Sequence, residues 1–73
     1  MNYDLAMMAL EGLARGPLSV RASASEVVIE ASPASFKELA RLCLLLGGAS
    51  GDESFELQPG VHVEGARVIL RVR

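Results

Sequence analysis

The segment Ser32–Gly48, SPASFKELARLCLLLGG, constrains the fold most, because both ends of a helix are written into it. Ser32 can accept a hydrogen bond from a first-turn amide, and Pro33 at the first helical position gives up an N–H that has no helical partner there. Ser35 and Glu38 offer a second start one turn later, as an S-x-x-E capping box. Gly47-Gly48 supplies a left-handed stop. Between these limits Phe36, Leu39, Ala40, Cys43 and Leu46 recur at helical spacing and form the expected buried stripe. Lys37, Glu38 and Arg41 make the wet side. Leu42 and Leu45 stand off the stripe and need a neighbour of their own.

An earlier helix over residues 3–15 is that neighbour, drawn from the same chain or from another copy. Asp4 is its expected cap, and Leu5, Met8, Ala9 and Leu13 fall on one stripe, with Gly16-Pro17 as the stop. Met7 and Leu10 lie off that stripe, so this helix is apolar on more than one side. PLSVRAS alternates Leu18, Val20 and Ala22 against Ser19 and Arg21, and SEVVIEAS sets Val27 and Ile29 against Glu26, Val28 and Glu30. Both read as strands covered on one face, joined across ASAS as a hairpin or continuous through it as one bent strand. ESFELQ turns Phe55 and Leu57 inward, PGVHVEG reverses the chain, and ARVILRVR puts Val68, Leu70 and Val72 opposite Arg67, Ile69, Arg71 and Arg73.

The expected order is therefore α-β-β-α-β-β in one α+β domain over 1–73, with the helix in 1–16 and the sheet and main helix in 17–73. A right-handed crossover makes the second and third strands parallel, and the last strand runs back between them. The expected product is a four-stranded, mostly antiparallel sheet carrying two helices on one face. On its other face the arginines meet Glu26, Glu30 and Glu56, an arrangement for cross-strand ion pairs.

So short a chain buries only about 60% of its unfolded surface. Cys43 is the lone cysteine and His62 the lone histidine, which excludes an internal disulfide and leaves a four-ligand zinc site without its donors. Association is the supplement that remains, and a composition 51% hydrophobic suits it. Net charge −2, with no aromatic among the arginines, points away from nucleic acid. Glu11 interrupts the apolar N-terminus, and Leu42–Gly51 is too short to span a bilayer, so a cytoplasmic chain that avoids the membrane is expected.

Cys43 among leucines reads as a small hydrophobe, not as a nucleophile with His62 as its base. His62 reads as a solvated loop side chain. GGASGD follows a helix and ends without Gly-Lys-Ser/Thr, so it reads as a helix stop and not a phosphate loop. No cofactor, metal or catalytic group is expected.

VVIEASPASFKELARLCLLL, a short loop, and FELQPGVHVEGARVILRV together resemble one of the small families of bacterial polymorphic-toxin immunity proteins. There a strand leads through Ser-Pro into a helix, and two closing strands end in an alternating apolar run. Ser32-Pro33, ELARL and the Pro-Gly turn carry the likeness over about residues 26–73. It implies a non-enzymatic binder that neutralises a partner toxin, and it brings no catalytic residue. The expected partner is thus another protein, possibly a toxin, or the chain itself as a homodimer. Loop residues Asp52 and Glu53 at one end, with His62 and Glu64 at the other, are the expected contacts.

Overall fold

The computed structural model describes residues 1–73 as α1 (Tyr3–Arg15), β1 (Leu18–Ala22), β2 (Val27–Glu30), α2 (Pro33–Gly47), β3 (Ser54–Leu57), β4 (Val63–Gly65) and β5 (Val68–Arg71). The chain is a small α+β domain. The four-stranded sheet is corrected: β2-β1-β4 form one sheet and β3-β5 a second. β1 and β2 are an antiparallel hairpin pair, with Val20 opposite Ile29, and β3 pairs antiparallel with β5, with Phe55 opposite Leu70. The one parallel ladder joins β1 to β4, Leu18 opposite Val63, and not the second strand to the third.

The physical reason lies in the turn after β3. The Gln58 carbonyl accepts the N–H groups of Val61, His62 and Val63 at 3.1, 3.0 and 3.3 Å, so the chain winds tightly there. Gly60, at φ +80°, takes the left-handed conformation that such a turn needs. The chain leaves this turn running alongside β1, and Leu18 N–H donates to the His62 carbonyl at 3.0 Å. β4 thereby takes the free edge of β1, and the final strand, expected between the second and third strands, pairs with β3 alone.

Helix α1 is capped two residues before its expected cap. The Asn2 side chain accepts the Leu5 N–H at 3.2 Å, which leaves Asp4 inside the first turn, where its charge opposes the positive helix end. Helix α2 starts at Ser32-Pro33, with the Ser32 hydroxyl accepting the Ser35 N–H at 3.1 Å. The later start at Ser35 is not used. Gly48 closes the helix in the right-handed region at φ −97°, donating to the Leu44 and Leu45 carbonyls, so the left-handed stop is also corrected.

The helices lie antiparallel, as Gly16 meets Ser35 and Gly12 meets Glu38. Small side chains make this approach possible. Ala6 and Ala9 are buried on α1, and a Cβ added to Gly12 would overlap the Glu38 side chain. Leu13, Leu18, Leu42, Leu57 and Val63 are fully enclosed at the centre of one cluster that draws on both helices and both sheets.

Both helices are rotated from the expected orientation. Ser35 and Leu42 are the buried positions of α2, with Leu39, Leu45 and Leu46 half-buried around them. Phe36, Ala40 and Cys43, expected inside, are exposed. On α1 the buried residues are Ala6, Ala9 and Leu13, while Leu5 and Met8 face out. A hydroxyl explains the rotation of α2. Ser35 Oγ donates to the Gly16 carbonyl at 2.6 Å, which ties the first turn of α2 to the end of α1 and gives the buried hydroxyl its partner.

Removing this hydroxyl strands the Gly16 carbonyl. Ser35→Ala is expected to lower the unfolding free energy by about 1–2 kcal/mol, read from the shift of a urea midpoint at unchanged slope. A shift below a few tenths of that size would mean that water reaches the carbonyl.

Candidate functional site

An open groove of about 830 Å³ runs between the helices. Ala9, Gly12, Gly16 and Ser35 make its floor, Leu5 and Met8 one wall, and Glu11, Arg15, Lys37, Glu38 and Arg41 its charged rim. Arg41 pairs with Glu38 one turn back, while Glu11 and Lys37 enter none of the chain's three ion pairs. The rim sets three cations against two carboxylates, a net charge of +1, so the groove carries only a weak positive field.

The larger feature is uncovered apolar surface. Leu44 is 77% exposed, Val27 64%, Met8 61% and Met7 56%. Only ten residues are buried. The chain exposes 4950 Å², against about 4,300 Å² for a folded monomer of its 7.7 kDa by surface scaling. The excess, about 600 Å², is close to one partner's share of a standard interface, roughly 800 Å². Isolated exposed hydrophobics are ordinary, but these line up along elements.

They line up in three places. On α2 the face away from the groove carries Phe36, Ala40, Cys43 and Leu44, all exposed. On α1 the face away from the groove carries Tyr3, Met7 and Ala14, exposed, and Leu10, half-buried. The third place is β2, which pairs only with β1 and leaves its other edge open, with Val27 and Ile29 unshielded. Glu26 and Glu30 bracket that edge, as charges commonly do on strands that must not add a neighbour.

The loop residues expected to make contacts are spread out. Asp52 is exposed in the loop before β3. Glu53 is half-buried and accepts the Tyr3 hydroxyl at 3.0 Å. His62 follows the other end of β3, half-buried, and its Nδ1 accepts the Gln58 N–H at 3.1 Å. It is thus part of the turn's own bonding and not a free loop side chain. Glu64 lies exposed on β4. Asp52 and Glu53 therefore flank one end of β3, and His62 and Glu64 follow the other.

The Glu53 contact gives a readout in solution. The hydrogen bond from Tyr3 to Glu53, and then the carboxylate's charge, push the Tyr3 phenol above its ordinary pKa of 10.0. A raised folded-state value means that the contact contributes below the ordinary phenol range and is lost as pH climbs past it. Tyr3 is the only tyrosine, so its phenolate absorbance reports one group. Glu53→Gln is expected to bring the midpoint back down. An unchanged midpoint would show that the two side chains do not meet.

Cys43 sits on the outer face of α2, and His62 is held in the turn after β3. No three His, Cys, Asp or Glu side chains gather as a metal-binding group. Arg21–Glu30 is an ion pair between β1 and β2, and Arg67, just before β5, pairs with Glu56 of β3 at 2.9 Å. Both are solvent-exposed and contribute at most about 1 kcal/mol each. No helix is long and apolar enough to cross a membrane.

Sequence reasoning missed the outer helix faces because it placed Phe36, Ala40 and Cys43 inside. The signal was present: Leu39, Leu42 and Leu46 lie beside Phe36, Ala40 and Cys43 around α2, an apolar arc wider than one core contact covers. Comparison with known proteins found no match to a family model, a curated protein or a solved structure.

Proposed function

We propose that this chain is a non-catalytic protein-binding module whose helical faces are its contact surface. The observation that carries the reading is the exposed apolar side chains along α1 and α2, Leu44 at 77% and Met7 at 56% among them, on a chain whose total surface is about 600 Å² beyond the expectation for a monomer of this mass. In its finer form the module is a cytoplasmic immunity protein that covers or holds a partner toxin. The sequence likeness over about residues 26–73 supports that form. Asp52, Glu53, His62 and Glu64 are then the polar contacts beside the apolar ones.

Leu44→Asp is the test. Its side chain is 77% exposed, so the variant keeps its fold by circular dichroism while losing a contact anchor. Wild-type chain titrated with the product of a neighbouring toxin-like gene is expected to give a saturable complex and to restore growth on co-expression, and the variant to fail in both. Equal behaviour of the two chains would overturn the surface assignment, and no complex with either would overturn the toxin.

A second reading is a self-associating module, favoured by the apolar faces lying on both helices. Association of the purified chain at micromolar concentration, seen by light scattering, is its expected mark.

A further inference from the structure

We infer that the outer face of α2 receives the outer face of α1 from a second copy of this chain, in antiparallel register and head to tail. The inference rests on reading the chain as a protein-binding module and names a partner for it.

The two faces carry the same spacing. Tyr3, Met7, Leu10 and Ala14 follow one another at steps of four, three and four along α1. Phe36, Ala40, Cys43 and Gly47 follow at the same steps along α2. Steps of this kind are the seam of a helix that packs against another helix. Neither seam lines the groove where α1 and α2 already meet; on α1 the Tyr3 hydroxyl is held by Glu53 and Leu10 packs in part on the core, and the remaining seam surface is exposed. Tyr3 is 60% exposed and Met7 56%, and Gly47 has open space around it.

The sizes complement each other in one direction only. Run antiparallel, the large Tyr3 falls opposite Gly47 and Met7 opposite Cys43. Leu10 then meets Ala40, and the small Ala14 meets Phe36. Every level matches a larger side chain with a smaller one, which is how facing layers interdigitate. Run parallel, Tyr3 meets Phe36 while Ala14 meets Gly47, leaving a clash at one end and a void at the other.

Charge agrees. At the solvent rim of this antiparallel pair, Glu11 stands level with Leu39 and therefore between Lys37 and Arg41 of the other copy, while Arg15, level with Ser35, stands on the far side of Lys37. Glu11 and Lys37 lack ion-pair partners in their own chain. An α2 face paired with itself in antiparallel register would instead set Lys37 and Arg41 along the same rim as their copies, which is unfavourable.

The seams lie on opposite flanks of one helical layer, so one contact leaves the other seam open. The contact is heterologous, and copies add in series until a ring closes or a filament grows.

Cysteine cross-linking tests the register. In Met7→Cys the new thiol and Cys43 lie on opposite flanks of one chain and meet only between copies. Mild oxidation is expected to give a ladder of dimer, trimer and higher species on a non-reducing gel. Wild type, with Cys43 alone, is expected to give none. A ladder missing from Met7→Cys, or a dimer formed by wild type through Cys43, would overturn the register. Ala40→Arg, at an exposed position, keeps the fold by circular dichroism and is expected to sediment as a single chain where wild type sediments as two or more. Wild type that sediments as one chain up to millimolar concentration would overturn self-association, while a complex with a different protein through Leu44 would leave the binding-module reading standing.

Discussion

Leu42→Ala is expected to lower the unfolding free energy by about 2–5 kcal/mol, the range for a leucine removed from an enclosed site. A domain of this length has about 4–11 kcal/mol in all, so the variant should be largely unfolded at modest urea concentration. Leu42 has no exposed surface and lies at the centre of the cluster built from both helices and both sheets. Its neighbour two positions on supplies the control. Leu44 is 77% exposed, and Leu44→Ala should change stability by less than about 0.5 kcal/mol in the monomer. The same chemical deletion thus has opposite consequences within one helical turn. Urea melts of the two variants, followed by circular dichroism at low protein concentration, decide how α2 is rotated. Comparable losses at both sites would mean that the helix faces the core with a different side.

That comparison also shows where sequence reading stops. The extent of α2 was legible to within a turn because caps act locally, although Ser35 offered a second start and the stop at Gly48 is right-handed, not left-handed. β5 and the inward side of β3 were legible because alternation has one solution when one side is charged. The rotation of α2 was not, because apolar residues occupy two sides of it. Phe36-Ala40-Cys43 and Leu39-Leu42-Leu46 both satisfy helical spacing. What separates them is the Ser35 hydroxyl meeting the Gly16 carbonyl, a contact nineteen residues apart that no local pattern encodes. Of the expected contact residues, Asp52 and Glu64 are exposed, while Glu53 and His62 are tied to Tyr3 and Gln58 by hydrogen bonds. Loop position alone does not tell a free side chain from one its own backbone has taken.

Under the proposed reading, the exposed helix faces contribute little to the chain's own core, so the few enclosed residues bear most of its stability. Single core substitutions should therefore be severe, and occupying the seams should raise the melting temperature in a concentration-dependent way.

Gly65→Ala is expected to disrupt the β1–β4 ladder. Gly65 sits at φ +105°, where a side chain adds strain of about 1–3 kcal/mol by itself. It also lies directly across from Val20, and an added Cβ would run into the Val20 carbonyl oxygen, a backbone atom that cannot swing aside. That oxygen accepts the Ala66 N–H at 3.3 Å, so relieving the overlap means giving up the bond that closes the ladder. Gly51, at φ +88° with open space around it, isolates the conformational cost. Gly51→Ala should lose only that first increment, and Gly65→Ala that increment and the ladder besides. Hydrogen exchange distinguishes the two. In Gly65→Ala the Leu18 and Ala66 amides should exchange far faster than in wild type while the α1 amides near Leu13 stay protected. Equal losses in the two variants, with Leu18 and Ala66 still protected, would mean that β4 does not lie against β1 and that the parallel pair is misplaced.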